Sequence, residues 1–142
     1  MKSESIDPYR EYPWRLLGYS NAMLRPVRDL VPKTVYQASL GAMHLYFMAN
    51  SYDYALKIDS KSFSRSAFDC YSWHCITSWV GPALVIDNIR RVSARFTSSK
   101  SMPVLAAYGG FFLCAPLLDR AANWYFYGFW SAGTKSRPSL RL

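Results

Sequence analysis

A chain of 142 residues allows one ordinary domain, 1–142, and a composition that is 51% hydrophobic, 17% aromatic and 18% charged fits a membrane bundle as well as a helical domain in water. The net charge is +8, but the basic residues flank apolar windows and form no stripe with interleaved aromatics, so no nucleic-acid partner is expected. The cysteines, Cys70, Cys75 and Cys114, are odd in number and sit inside apolar windows, which excludes a disulfide framework.

Along the chain, charges fall into four blocks: Lys2 to Lys33, Asp53 to Asp69, Asp87 to Lys100 and Asp119 to Arg141. Between them lie three charge-free windows, Thr34–Tyr52, Cys70–Ile86 and Ser101–Leu118. As helices they would each span roughly 25–29 Å at about 1.5 Å per residue, close to a hydrocarbon core of about 30 Å. A helix exposed to water carries a charged or strongly polar face, and three consecutive windows without one favour a membrane. The expected fold is therefore all-α: an integral membrane protein with three transmembrane helices, preceded by a kinked N-terminal amphipathic helix.

The N-terminus reads MKSESIDPYREYPW, with Glu4, Asp7 and Glu11 and no early apolar run. It matches neither a secretory signal nor an Arg-rich transit peptide, so an internal segment would have to direct the chain to an organelle. Asp7-Pro8 suits a helix start. Over 7–31, Trp14, Leu17, Leu24, Val27 and Val31 keep helical spacing, and Pro26 should kink the helix. Such a segment suits an interface with lipid or a protein core. Arg25, Arg28 and Lys33, where it meets the first span, are expected to contact anionic lipid head groups.

The first span is expected over 32–52. Gln37, His44 and Ser51 recur every seven residues and define a polar seam that needs a partner helix. The second span, 67–86, opens on Ser66 and Asp69 at capping-box spacing. Within it Thr77 and Gly81 form a small-residue pair, and Pro82 should bend it. The third span, 101–119, carries Ala106, Gly110 and Cys114 on one face. This second small-residue seam should pack against the Thr77–Gly81 face, because the short Asp87–Lys100 connection makes the two helices antiparallel neighbours. Asp87 is spaced to pair with Arg90 and Arg91, and Asp119 with one of Lys57, Lys61 or Arg65. The aromatic segment 120–132 reads as an interfacial belt, and 133–142 as a polar tail.

Little here suggests catalysis. Cys70, His74 and Cys75 lack the paired ligand spacing of a zinc site, so no metal or other cofactor is expected. His44 reads as a neutral group hydrogen-bonded across helices. No P-loop, G-x-S-x-G, H-E-x-x-H or G-x-G-x-x-G occurs, and no enzyme is expected.

YREYPWRLLGYSNAMLRPVRDLVPK, Tyr9–Lys33, resembles the opening of the mitochondrial fission process protein family, the 18 kDa inner-membrane proteins. Arg15, Leu17, Gly18, Tyr19 and Asn21 carry the likeness, followed by Leu30, Val31 and Pro32. FDCYSWHCITSWVGPALVIDNIRR resembles the family's second span through Asp69, Trp73, Pro82, Asn88 and Arg90. LLDRAANW resembles its later Ile-Asp-Arg element through Leu118, Asp119 and Arg120, although Pro116-Leu117 stands where the family has His-Pro. The resemblance implies a multi-pass protein of the mitochondrial inner membrane that affects membrane division and morphology without catalytic residues. A cardiolipin-rich membrane would suit its basic edges. The abundance of seams further suggests other inner-membrane subunits as partners, with the chain an accessory part of a larger assembly such as a respiratory complex. The competing expectation is a transporter or channel component, with Gln37 and His44 lining a path. With three spans, one side would carry ten Lys and Arg against seven on the other, which places the N-terminus in the matrix.

Overall fold

The computed structural model describes residues 15–57 and 62–129, and every regular element among them is helical. Asp7-Pro8, Trp14 and the segment from Trp130 through the tail lie outside the described residues. Helices α1 (Arg15–Gly18) and α2 (Ser20–Leu24) lead into a 3₁₀ turn at Arg25–Val27. Pro26 has no N–H to donate and its ring crowds the preceding turn, so the α-helix stops there.

Helix α3 (Lys33–Lys57) is 25 residues long. The Pro32 carbonyl starts it by accepting the N–H groups of Val35 and Tyr36 at 3.0 and 3.1 Å. An Asp53–Lys57 pair at 2.6 Å supports its last turn. Helix α4 (Phe63–His74), a π-helical turn (Cys75–Val80) and α5 (Gly81–Phe96) then follow without a break. Ser62 caps α4: its backbone is extended and its Oγ accepts the Arg65 N–H at 3.4 Å. This is one turn before the Ser66–Asp69 capping box expected from the sequence. Ser66 instead donates its hydroxyl to the Ser62 carbonyl at 3.3 Å.

Pro82 explains the π turn. In a regular α-helix its ring would meet the carbonyl four residues back, so the helix widens just before it. The Gly81 N–H accordingly reaches the Ile76 carbonyl, five residues back. Helix α6 (Met102–Asn123) has 22 residues and runs on through a second π turn, Trp124–Phe129.

Helices α3 and α4–α5 pack antiparallel: Tyr52 meets Phe63 near one end, and His44 meets Trp79 nearer the other. Helices α5 and α6 do likewise, with Gly81 beside Leu118 and Gly110 beside Ile89. Two apolar clusters result. Met43, Tyr46 and Phe47 of α3 pack with Tyr71, Cys75 and Trp79. Tyr19 and Ala22 of the N-terminal segment join Ile86, Ala107 and Phe111.

That second cluster corrects the reading of the N-terminal segment. Its buried face is Arg15, Gly18, Tyr19, Ala22 and Pro26, while Leu16 and Leu17 point outward. The apolar stripe drawn through Leu17 and Leu24 is therefore not the docking face. Partners inside the bundle decide this: the interior beside α1 offers carboxylate, imidazole and hydroxyl groups, which suit an arginine better than a leucine.

Length and composition support one of the three expected spans. Met102–Phe126 alone among the described helices is long and apolar enough to cross a membrane, and only 11% of its apolar stretch is buried. Freedom from charge is not the same as being apolar. The first window holds Gln37, Ser39, His44, Asn50 and Ser51, and the second holds Ser72, His74, Thr77 and Ser78.

Where those polar groups lie is the main architectural fact. His74, Asn50 and Asn21 are each 1% exposed and Thr77 is 0%, whereas Leu45, Leu84 and Leu113 are 69%, 60% and 74% exposed. Large apolar side chains thus stand exposed along α3, α5 and α6, while α2, α3, α4 and the π turn bury Asn21, Asn50, His74 and Thr77 beside the two apolar clusters.

Candidate functional site

Arg15 lies at the centre of the buried polar groups. Helix α1 carries it into the space between α3, α4 and α6, and Gly18 lets the segment come close. A Cβ on Gly18 would meet the Tyr46 ring at 2.9 Å. The Arg15 guanidinium donates to Asp119 Oδ1 at 2.8 Å, to the Tyr19 hydroxyl at 2.9 Å and to Thr77 Oγ1 at 3.4 Å. Its other terminal nitrogen donates to His74 Nδ1 at 3.2 Å. The Tyr19 hydroxyl passes its own proton on to Asp119 at 3.2 Å. The guanidinium carbon also sits 4.6 and 4.8 Å from the ring centroids of Tyr19 and Trp73, within cation–π range.

These contacts fix the imidazole tautomer. Guanidinium only donates, so Nδ1 is the acceptor and Nε2 carries the proton. The Asn50 amide nitrogen lies against Nε2 at 2.5 Å, and a half-turn of the amide presents the oxygen that can accept the Nε2 proton. His74 is held in plane by stacking on Phe47, 5.2 Å between centroids at 16°. Thr77 accepts from Arg15 and donates to the Trp73 carbonyl at 2.9 Å. The network thus joins α1, α3, α4, the π turn and α6, and all its members are buried except Asp119. Asp119 opens onto a cavity of about 340 Å³ walled by Leu16, Met23, Phe111, Phe112 and Pro116.

A second polar girdle pins the other end of the N-terminal segment. Arg25 grips Asp87 in a two-point pair, Nε to Oδ1 at 3.1 Å and one terminal nitrogen to Oδ2 at 2.7 Å. The hydrogen bond from Arg25 holds the Asp87 carboxyl below its ordinary range. Arg90 reaches Asp29 at 2.8 Å, and this bond likewise lowers the Asp29 carboxyl. Asn21 donates to Ser39 Oγ at 3.3 Å, and Tyr108 donates to the Met23 carbonyl at 2.8 Å. Both expected ion pairs are therefore corrected. Asp87 takes Arg25 in place of Arg90 and Arg91, and Asp119 takes Arg15, which was not among its expected partners, one of which, Lys61, lies outside the described residues. In each case a distant segment supplies a better-shaped, more buried partner than a neighbour in sequence or a residue on the same rim.

Of the residues proposed for lipid head groups, Arg25 is committed to Asp87, Arg28 stands exposed 3.6 Å from Asp29, and Lys33 is exposed at the start of α3. The polar seam on α3 is split: Gln37 is exposed, Ser51 bonds its own helix at the Phe47 carbonyl (2.6 Å), and His44 meets the Tyr71 hydroxyl at 2.9 Å. The inward stripe is Met43, Tyr46, Phe47, Asn50, Ser51 and Ala55, so Ser51 of the seam is buried and Asn50 joins it as a second polar member. The small-residue seam lies at the α5–α6 contact, but in a shifted register. Gly110 faces Ile89 and Val85, Gly81 faces Leu118, and Thr77 belongs to the Arg15 network. Ala107, fully buried, fills the core in place of the half-buried Ala106, and Cys114 is half-buried. Among the described residues no three His, Cys, Asp or Glu side chains converge as metal ligands, and no disulfide joins the thiols.

The residues missed in this role were Arg15, Tyr19, Asn50 and His74. One signal was present: Arg15, Tyr19 and Ala22 fall on one helical face, and only an ionic partner inside would let that face dock. Comparison of the chain with protein families, with curated proteins and with solved structures finds no match.

Proposed function

We propose that the chain is a non-enzymatic, membrane-embedded helical bundle that organises a membrane or its complexes through helix and lipid packing. In this reading α3, the α4–α5 rod and α6 all cross the bilayer, and the N-terminal segment seals the polar groove between them. Exposed apolar side chains, together with buried and paired polar groups, carry the proposal. Leucines exposed on three helices are costly in water and favourable in lipid, while buried Arg15, Asn50 and His74 are what a bundle in hydrocarbon must pair internally. Polar pairing also explains how helices of modest hydropathy can be membrane spans. Several of their polar groups face each other, as Asn50 and His74 do, and much of the outward surface is apolar.

The resemblance to mitochondrial fission process proteins supports placing the bundle in the mitochondrial inner membrane. It would act there in membrane morphology or as an accessory subunit of a larger assembly. Several residues behind that resemblance, Arg15, Gly18, Tyr19, Asn21, Trp73 and Asp119, are ones the interior uses. The proposal predicts that alkaline carbonate leaves the chain in the membrane pellet of fractionated mitochondria. Its release with the peripheral proteins would refute it.

The transporter reading draws on one observation: Asp119, Arg15, His74 and Asn50 form a chain of polar contacts leading inward from a cavity. It fits less well, because Arg15 already occupies Asp119. Proton flux through proteoliposomes that Asp119→Asn abolishes would establish it, and flux no greater than in empty vesicles would rule it out.

A further inference from the structure

A second cavity, about 530 Å³, lies where the 3₁₀ turn meets the last turns of α5 and the first turn of α6. Its size is ordinary for a small-ligand site. Four cations line it: Arg28, Arg90, Arg91 and Lys100. The carboxylates in its wall are Asp29 and Asp87, and both are already engaged, by Arg90 and by Arg25. Arg91 and Lys100 make no ion pair among the described residues. Counting Arg25, five cations thus surround two carboxylates, and the surplus points into a concave space. Beside this charge the wall is apolar, formed by Val27, Pro103 and Val104, with the highly exposed Leu30 at its edge.

From this geometry we infer that the cavity binds the phosphate of an anionic phospholipid head group, with Arg91 and Lys100 as its principal contacts. The inference rests on the membrane reading above and deepens it. Pro103 and Val104 open the helix that is long enough to cross a membrane, so the cations stand at one end of that helix, at head-group level. Charge next to an apolar wall matches a phosphate attached to acyl chains better than it matches a free anion, which has no use for Leu30. The site differs from the one expected from sequence. Arg25 is spent on Asp87, and two of the contacts come from the α5–α6 connection and its flank.

The test uses the full chain in detergent micelles, titrated with dioctanoyl phosphatidylglycerol, dioctanoyl phosphatidylcholine and inorganic phosphate. Arg91→Gln/Lys100→Gln should weaken phosphatidylglycerol binding about 30-fold, each charge near an anionic surface contributing about fivefold. Phosphatidylcholine binding should not change, and Arg65→Gln/Arg120→Gln, at the opposite end of the bundle, should keep the anionic preference. Equal weakening by both double variants means diffuse attraction and overturns the site. Inorganic phosphate binding as tightly as phosphatidylglycerol overturns its assignment to a lipid. An unchanged preference in Arg91→Gln/Lys100→Gln, with the chain still resisting carbonate, overturns the site and leaves the membrane reading intact. Release by carbonate overturns the membrane reading, and the lipid assignment with it.

Discussion

Arg15 shows what one buried charge demands of its surroundings. Desolvating a guanidinium costs several kcal/mol, and the cost is met only when its donors are filled and an opposite charge is close. Here Asp119, Tyr19 and Thr77 accept from one terminal nitrogen and His74 from the other. Two consequences differ in sign. Asp119→Leu leaves Arg15 buried and uncompensated and should lower stability by about 3 kcal/mol, near the low end for buried pairs because Asp119 is partly exposed. Adding Arg15→Met should restore most of that loss, since an apolar pair of similar volume can replace an ion pair. Denaturant unfolding of the two variants in detergent checks this. A double variant no more stable than Asp119→Leu alone would mean that Arg15 contributes mainly through its aromatic and His74 contacts.

At the scale of elements, two glycines that look alike in sequence differ in what surrounds them. A Cβ on Gly81 would sit 2.7 Å from the Ile76 carbonyl oxygen, which is backbone held by the π turn, and 3.0 Å from Leu118. Gly81→Ala should therefore destabilise by roughly 1–3 kcal/mol despite alanine's better helix propensity. A Cβ on Gly110 meets chiefly the end of the Ile89 side chain, which can rotate away, so Gly110→Ala should cost less than Gly81→Ala. Gly110→Leu, too large for that adjustment, should separate α5 from α6. Gly109 has nothing within 4 Å, and Gly109→Ala should stabilise by up to about 1 kcal/mol. Thermal unfolding of the four variants ranks them, and equal effects at Gly81 and Gly109 would contradict the packing described.

The same elements show what could be read from the sequence. The helical class, the three long helices, the bend before Pro82 and the α5–α6 small-residue contact follow from local rules: charge-free windows, proline chemistry and short connections. The docking face of the N-terminal segment did not follow. Local periodicity favoured Leu17 and Leu24, and only the distant Asp119 and His74 make the Arg15 face the better one. Asn50 escaped for a related reason. A seven-residue recurrence drew attention to Gln37, His44 and Ser51, while the inward stripe ran through Met43 and Phe47 beside them. The cationic groove was half legible: Arg28 stood out in the sequence, but Arg91 and Lys100 join it only through the α5–α6 turn.

For the whole molecule, the central claim is that helices exposing large apolar side chains, while pairing Arg15, His74 and Asn50 inside, make this bundle one that lives in lipid. Spin labels placed singly at Leu45, Leu84 and Leu113, with Cys70, Cys75 and Cys114 replaced by Ala, test it on α3, α5 and α6 at once. After reconstitution into vesicles, all three labels should be relaxed strongly by oxygen, which partitions into lipid, and weakly by a water-soluble nickel complex. Strong nickel relaxation at Leu45 and Leu84, with only Leu113 protected, would contradict the account and leave a single crossing by α6.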